Sequence, residues 1–542
     1  MQIENNSHEE VPQAQVGQRI MRATGALMLI QVVMKLFGFI EKSILSNFFG
    51  GTSYITDAYS QARDIAFLVY TLVEQVVMHS FLPVFVQNIR EKGEKDAWRL
   101  ASTAINLLII LMGIVAVTGV FFMPNMLHFF VPGWFTGNPK QNPELIPLTV
   151  QLARMMLIAV VFMATTSLTY CLLNSYKKFA LPAAADLVLK GTVLLFAIFF
   201  IGKLGIFALA LGFIIGAMGK LAVHVFGLRA KLVNYRPALD LKNPGLKKFG
   251  ILAAPLLVGI LGSDIRQIVD NMFISGLGEG SKAALSFAKT VCDMPVQFFP
   301  FAFGIALFPF LADIAVSGDK ERLRTMLMTV TRMMIIIFIP LTLLIWMLHI
   351  PIVMAAFGPK AMATAAPLQI YALGMLISAL EIVVLQFFFA MCETLWPTII
   401  GLAIIPFHIL LSWTGVYQWH LATVGIALAL LISKGTKVII LYGLIRKRLG
   451  TLEVKKTLWT LAKVVVALLP MLVILWLTVH YLPNPTKVSG NKLHLIIALS
   501  KFGVAGVVAS AMYFIALYYS GVEEMSLLVA KVRGKLGRGK DN

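Results

Sequence analysis

From residue 23 onward the chain alternates long apolar runs with short polar breaks. The runs fall at 23–48, 58–89, 98–123, 148–175, 181–202, 204–228, 249–275, 281–315, 323–350, 361–391, 395–415, 420–445, 457–481 and 494–520. Each is close to or longer than the ~20 residues a helix needs to cross a bilayer. The pattern predicts an all-α integral membrane protein with about fourteen transmembrane helices. The narrowest break is at 202–204, where Gly202 and Gly205 flank Lys203 and interrupt the apolar pattern.

The polar breaks differ in charge by turns. One set carries the basic clusters, among them Arg90, Lys92, Lys95 and Arg99, then Arg229 to Lys248, then Arg446 to Lys456, while the alternate set holds scattered lysines such as Lys140, Lys203, Lys282 and Lys360. Basic loops stay in the cytoplasm, so both termini are expected there and the number of spans is expected to be even. The basic excess then belongs to the membrane topology.

An internal repeat appears at an offset of 226 residues. Gly50, Ala58, Ser60, Ala62 and Pro83 recur as Gly276, Ala284, Ser286, Ala288 and Pro309, and Arg63 recurs as Lys289. The offset covers six helices, so the halves share one orientation and are related by an axis along the membrane normal. The expected organisation is a cytoplasmic tail at 1–22, an N-lobe of six helices at 23–230, a basic linker at 231–248, a C-lobe of six helices at 249–449, and a final helix pair with a basic tail at 450–542. The architecture is two pseudo-symmetric six-helix lobes plus two C-terminal helices.

Composition supports the membrane class. Of 542 residues, 58% are hydrophobic and 13% charged, about half the charged share of an ordinary soluble domain, roughly 25%. A net charge of +20 would suggest nucleic acid in a soluble chain, but its gathering in short loops argues against that partner. Cys171, Cys292 and Cys392 lie in apolar runs without CxxC spacing, and the histidines stand singly, so neither a disulfide framework nor a metal centre is indicated. No nucleophile or phosphate-loop motif occurs, and the loops are too short for a catalytic domain. An enzyme is not expected.

A charge at the bilayer centre costs at least ~2.5 kcal/mol, so such residues usually face an internal cavity. The first two helices hold Lys35, Glu41, Lys42, Asp57, Arg63, Asp64 and Glu74; their counterparts in the second half hold Asp264, Arg266, Asp270, Lys289 and Asp293. Lys35 and Lys42 are seven apart, as are Asp57 and Asp64, so each pair shares a helix face. These positions predict a hydrated, charged cavity fed by both halves. Asp57 has a second reading as the N-cap of the second helix. Arg154, Lys220, Lys434 and Lys463 are read as snorkelling near helix ends, and Arg332 and Glu381 as a deeper pair or as cavity lining.

The run "KLFGFIEKSILSNFFGGTSYITDAYSQARDIAFLVYTLVEQVVMHSFLPVFVQ" resembles the start of the MurJ (MviN) lipid II flippases of the MOP superfamily, and "ALSFAKTVCDMPVQFFPFAFGIALFPFLADIA" resembles their eighth helix. The resemblance covers essentially the whole chain. It implies two lobes around a cationic cavity that admits the pyrophosphate and sugars of an undecaprenyl-linked precursor, with the lipid tail in a groove beside the last two helices. Lys35, Arg63, Asp57, Glu74 and Asp293 match the family pattern. Glu41 stands at a position that is basic in the family, Lys42 at one that is acidic, the second helix lacks the family's arginine around Tyr70 to Leu72, and Thr290 stands where the eighth helix has an arginine, so three cavity cations are lost or displaced by one residue, to Lys42 and Lys289. Asp270 falls near a position where some members bind sodium.

The function expected on this resemblance is translocation of a lipid-linked saccharide, lipid II by default, across the bacterial cytoplasmic membrane by alternating access. Lys35, Lys42, Arg63 and Lys289 are assigned to the headgroup phosphates, and Glu41, Asp57, Glu74 and Asp293 to orienting those cations or to coupling. No cofactor is expected beyond Na+ or H+ coupling or the membrane potential. Expected partners are the undecaprenyl-linked glycolipid, the bilayer, and cell-wall or polysaccharide synthesis proteins, with the chain itself a monomer. The alternatives are a flippase for another lipid-linked oligosaccharide, a cation-coupled MATE-type multidrug exporter, which would want an acid-dominated cavity, and a non-transporting scaffold.

Overall fold

The computed structural model describes residues 13–137, 142–237, 239–483, 485–488 and 492–525. Among the described residues every regular element is helical. Fourteen helices have 19 residues or more: α1 Gln13–Phe49, α2 Tyr54–Lys92, α3 Glu94–Phe130, α4 Leu145–Ser175, α5 Ala180–Phe199, α6 Phe207–Leu228, α7 Pro244–Ser275, α8 Ser281–Ser317, α9 Lys320–Met347, α10 Ala365–Ala390, α11 Leu395–Trp413, α12 Ala422–Leu449, α13 Val454–Tyr481 and α14 Lys492–Tyr519. They match the fourteen apolar runs one for one. Twelve are long and apolar enough to cross a membrane; the expectation of fourteen crossings rests on α1 and α8, which lie outside those twelve. The break at 202–204 is real: α5 ends, one short turn spans Ile201–Leu204, and Gly205 reverses the chain at φ +57°.

The repeat is visible in the packing. In the first half α2 packs on α4, α4 on α6, α5 on α6, α1 on α5 and α3 on α4; six helices later α8 packs on α10, α10 on α12, α11 on α12, α7 on α11 and α9 on α10. The last pair, α13 and α14, is joined to α9 by its own apolar cluster, which includes Ile336, Met471, Leu475 and Tyr513. An ion triad pins the same pair: Arg332, 2% exposed, holds Glu524 through Nε and the half-buried Glu453 through Nη1 at 3.1 Å. Arg332 is therefore a structural anchor, and it does not meet Glu381.

The lobes are tied where each repeat makes its first turn. Ser53 caps its own helix by accepting the N–H of Thr56 at 3.4 Å. Asp57, read from sequence as a cap of α2, instead caps the helix of the other lobe: its carboxylate accepts the N–H of Gly280 at 2.6 Å and of Ala283 at 2.7 Å, at the start of α8. Glu279 returns the contact, accepting the N–H of Tyr54 at 2.7 Å at the start of α2. With the 226-residue offset, Tyr54 corresponds to Gly280 and Ser53 to Glu279, so the two repeat turns cap one another across the seam. Gly280 is required twice over, by its φ of +82° and because a Cβ there would meet Thr52 at 2.6 Å. Lys282, read from sequence as an outer-loop residue, sits in the first turn of α8 and pairs with Asp64 of α2 at 2.6 Å.

Removing a charged cap that satisfies two backbone donors costs roughly 2 kcal/mol. Asp57→Ala is expected to destabilise the purified full chain by that much, read as a lower thermal unfolding midpoint, with Asp57→Glu recovering part of it; an unchanged midpoint would show that the seam does not depend on this cap.

Candidate functional site

The site is built from three helical stripes. On α1, Gln31, Met34, Lys35, Gly38, Glu41 and Lys42 repeat at steps of three and four, which places them on one face. On α8, Lys282, Ser286, Lys289, Thr290, Asp293 and Gln297 do the same. Between them α2 contributes Arg63, Asp64 and Phe67 and α5 contributes Lys190, together enclosing a cavity of ≈ 380 Å³. A second cavity of ≈ 280 Å³, lined by α7 and α8, shares Lys42, Asp64, Thr290 and Asp293 with the first.

All four assigned headgroup cations line this space. Lys35, Lys42 and Arg63 face the first cavity, and Lys42 and Lys289 the second. Lys42 spans the lobes: its ammonium donates to the carbonyl of Ser286 at 3.0 Å, to its hydroxyl at 2.9 Å, and to the hydroxyl of Thr290. Arg63 is held in place by Glu41 at 3.4 Å, which also accepts the hydroxyl of Tyr59 at 2.8 Å, while the guanidinium lies over the Tyr59 ring. Glu41 thus orients Arg63. Asp293 sits where the cavities join. Taken together the described lining holds six cations, Lys35, Lys42, Arg63, Lys190, Lys282 and Lys289, against four carboxylates, Glu41, Asp64, Asp270 and Asp293. The cationic excess suits a phosphate or pyrophosphate.

Asp57 and Glu74 stand elsewhere, and Asp270, on the wall of the second cavity, is engaged by other side chains. Asp57 is 1% exposed and is spent on the α8 cap. Glu74 lies inside the N-lobe, where it accepts the hydroxyl of Tyr70; that hydroxyl accepts from Lys220, which pairs with Asp186 at 2.7 Å. Asp270 is held by His408 Nε2 at 2.9 Å, by the hydroxyl of Ser412 at 3.2 Å and by Arg266 at 3.7 Å. Arg266 already supplies positive charge at that carboxylate. Among the described residues no group of three or more His, Cys, Asp and Glu is placed to hold a metal ion.

The snorkelling reading fails for two lysines. Lys220 is 3% exposed in the middle of α6, and Lys434, in the middle of α12, reaches Glu381 at 3.4 Å and Ser378 at 3.1 Å. Both serve internal networks. Lys190 was missed, although Asp186 and Lys190 four apart in an otherwise apolar run are a legible signal.

The space has unequal walls. The repeat relates the seam between α2 and α7 to the seam between α1 and α8. The first is packed along much of its length: Phe81 meets Phe249 edge to face at 5.5 Å, Lys248 donates to Gln87 at 2.5 Å, and the void left near Ile65, Leu68 and Ile268 is ≈ 10 Å³. At the second, the helices touch chiefly where Lys42 meets Ser286 and Thr290, and below that point the cavity lies between them. At the α1–α2 turn the space is shut. There Ser46 donates to the carbonyl of Phe357 at 2.6 Å, Thr52 to that of Lys360 at 3.1 Å, and the N–H of Gly133 to Ser275 at 2.9 Å, beside the reciprocal caps.

Comparison with known proteins agrees with this geometry. The chain is 24% identical over 477 residues to a protein of Buchnera aphidicola subsp. Acyrthosiphon pisum (strain APS) described as a probable lipid II flippase MurJ, covering 84% of this chain and 89% of the relative. A solved structure described as lipid II flippase MurJ in an inward closed conformation superposes with a TM-score of 0.73 at 19% identity, over 91% of this chain and 99% of that one. An inward-facing multidrug resistance MATE family transporter of the MOP superfamily reaches a TM-score of 0.65 at 13% identity, over 77% of this chain and 94% of that one. The two-lobed fold is common to both kinds of transporter, so the fold alone does not choose between them. The sequence does: the family described as lipid II flippase MurJ matches residues 45–494, and the chain belongs to that family.

Proposed function

We propose that this chain carries lipid II, an undecaprenyl-pyrophosphate-linked saccharide, from the inner to the outer leaflet of the bacterial cytoplasmic membrane. The observation that carries the reading is the cation-rich inter-lobe cavity, lined by Lys35, Lys42, Arg63, Lys190 and Lys289 and bordered by the loose α1–α8 seam. A pyrophosphate needs fixed cations, whereas a ~55-carbon isoprenoid gains nothing by leaving hydrocarbon. The headgroup therefore enters between α1 and α8 while the tail remains in lipid.

The basic loops support a cytoplasmic position for both termini, and on that reading the α1–α2 turn and its caps lie on the outer side. The arrangement described above is then closed outward, and transport requires the caps at Asp57 and Glu279 to part while the opposite end closes. Lys42 is central to this step, because it binds across the lobes through Ser286 and Thr290 and those bonds compete with a phosphate for the same ammonium. Phosphate binding frees α8 from α1. No cofactor takes part; an ion gradient or the membrane potential supplies the energy, and the monomer works beside the enzymes that make and use its cargo.

Expression of this chain in a bacterium depleted of its own lipid II flippase is expected to restore growth, with Lys42→Ala combined with Lys289→Ala abolishing rescue at unchanged membrane levels. Failure of the unaltered chain to rescue despite correct insertion would remove lipid II as the cargo, and rescue by the double variant would remove these lysines from the site. Single changes Lys35→Ala and Arg63→Ala are each expected to weaken retention of an undecaprenyl-pyrophosphate lipid about ten-fold, the size of one charge-assisted contact, read by native mass spectrometry of the purified chain. Glu41→Gln should weaken it less, through loss of Arg63 orientation alone.

A further inference from the structure

The C-lobe holds a cavity that the translocation pathway does not use. It lies between α7, α10, α11 and α12, has a volume of ≈ 370 Å³, and is reached from the inter-lobe space through a narrow ≈ 70 Å³ passage that shares Arg266, Leu430 and Lys434 with it. Among its described lining residues three are cations, Arg266, Lys434 and Lys437, and one is a carboxylate, Glu381. Glu381 is shared between Lys437 at 2.7 Å and Lys434 at 3.4 Å. One carboxylate cannot neutralise two ammonium groups, and both lysines lie in the middle of a membrane-spanning helix, where surplus charge is costly.

Much of the rest of the wall is apolar, with Leu385, Ile404 and Ile405 within and Phe389 and Leu402 toward the mouth, and Thr398 and Ser433 are its polar members. On the neighbouring surface Phe389, Ile399 and Leu402 are each more than two-fifths exposed, as residues that face hydrocarbon are. Gly401 lies on the wall, and the nearest atom to a Cβ built there would be the Lys437 ammonium at 3.8 Å. A cationic floor with an apolar mouth opening toward lipid is shaped for an anionic amphiphile: the headgroup answers the lysines and the chains stay in the bilayer.

We infer that this C-lobe cavity is a binding site for an anionic glycerophospholipid of the surrounding membrane, whose phosphate is held by Lys434 and Lys437 in competition with Glu381. The site is separate from the headgroup cavity: it uses none of Lys35, Lys42, Arg63 or Lys289. Occupancy would neutralise the lobe and brace α11 and α12 against α10, so the lipid acts on the C-lobe whatever the transported cargo.

The test is native mass spectrometry of the full chain in mild detergent with phosphatidylglycerol or phosphatidylcholine added, a readout that needs no transport. Phosphatidylglycerol should be retained in preference, and Lys434→Gln and Lys437→Gln should each lower its retention about five-fold, the worth of one lysine at an anionic headgroup. Glu381→Gln should raise retention by removing the competing carboxylate, a gain that misfolding cannot produce. Equal retention of the two lipids, or a fall in Glu381→Gln, overturns the proposal. So does retention that is lost only in Lys42→Ala with Lys289→Ala, which assigns the lipid to the inter-lobe cavity.

Discussion

The exchange of caps between Asp57 and the start of α8, and between Glu279 and the start of α2, fixes the relation of the two lobes. A helix start leaves backbone N–H groups without partners, and inside a membrane protein those groups have little water to turn to. By supplying each other's acceptors, the repeats make closure of one end a condition of satisfying both helices. The Asp64–Lys282 pair lies directly beneath, so this end is held by charge and backbone together. Whatever opens it must offer those donors water or another acceptor. The closed end is therefore held by a small set of polar contacts, which on the proposed function must part for transport.

The internal charges then divide by what they meet. Those on the α1 and α8 stripes face a cavity; others are arranged in closed sets such as Lys220 with Asp186, Tyr70 and Glu74, or Arg332 with Glu453 and Glu524. The closed sets hold helices together, and removing one partner of a buried ion pair leaves an uncompensated charge. Only the open sets leave cations free to exchange partners. This separates Arg63, which Glu41 holds at the cavity wall, from Arg332, which is equally basic yet fully engaged by Glu453 and Glu524.

The chain's pattern made the helices, the repeat and the cavity stripe legible, because all three depend on local periodicity or on comparing the sequence with itself. Lys35 and Lys42 share a face in the sequence and line one cavity in the structure. Asp57 and Asp64 also share a face, and both meet α8. What periodicity cannot supply is the identity of the opposing surface. Asp57 caps a helix 223 residues away, so its role was invisible to local capping rules. Glu74 sits one heptad beyond Phe67, which lines the cavity, but at Phe67 the wall ends: that ring packs on Phe213 of α6 at 5.4 Å, and beyond it the same face of α2 looks into the N-lobe. Lys220 and Lys434 were misread for a related reason, since snorkelling was judged from distance along the helix and their partners lie on other helices.

The repeat also explains why a lipid would enter from one side only. Two copies of a six-helix unit generate two equivalent seams, and symmetry alone gives no preference between them. The residues on the seams have diverged. Where α2 meets α7 they include Phe81, Phe249, Ile65, Leu68 and Ile268, with Gln61, Gln267 and Asn271 among them, and they pack closely; where α1 meets α8 they include Lys35, Glu41, Lys42, Thr290, Asp293 and Gln297. Charged side chains cannot be pressed together without surrendering hydration worth more than the contact returns unless each finds a partner. With more cations than carboxylates around this space, some have none, and the polar seam stays parted at its inner reach until an anion supplies the missing charge. On the proposed function, the divergence of the two repeats thus turns a symmetric shell into a one-sided port, and the excess of cations that holds the port open is the same feature that selects what enters it.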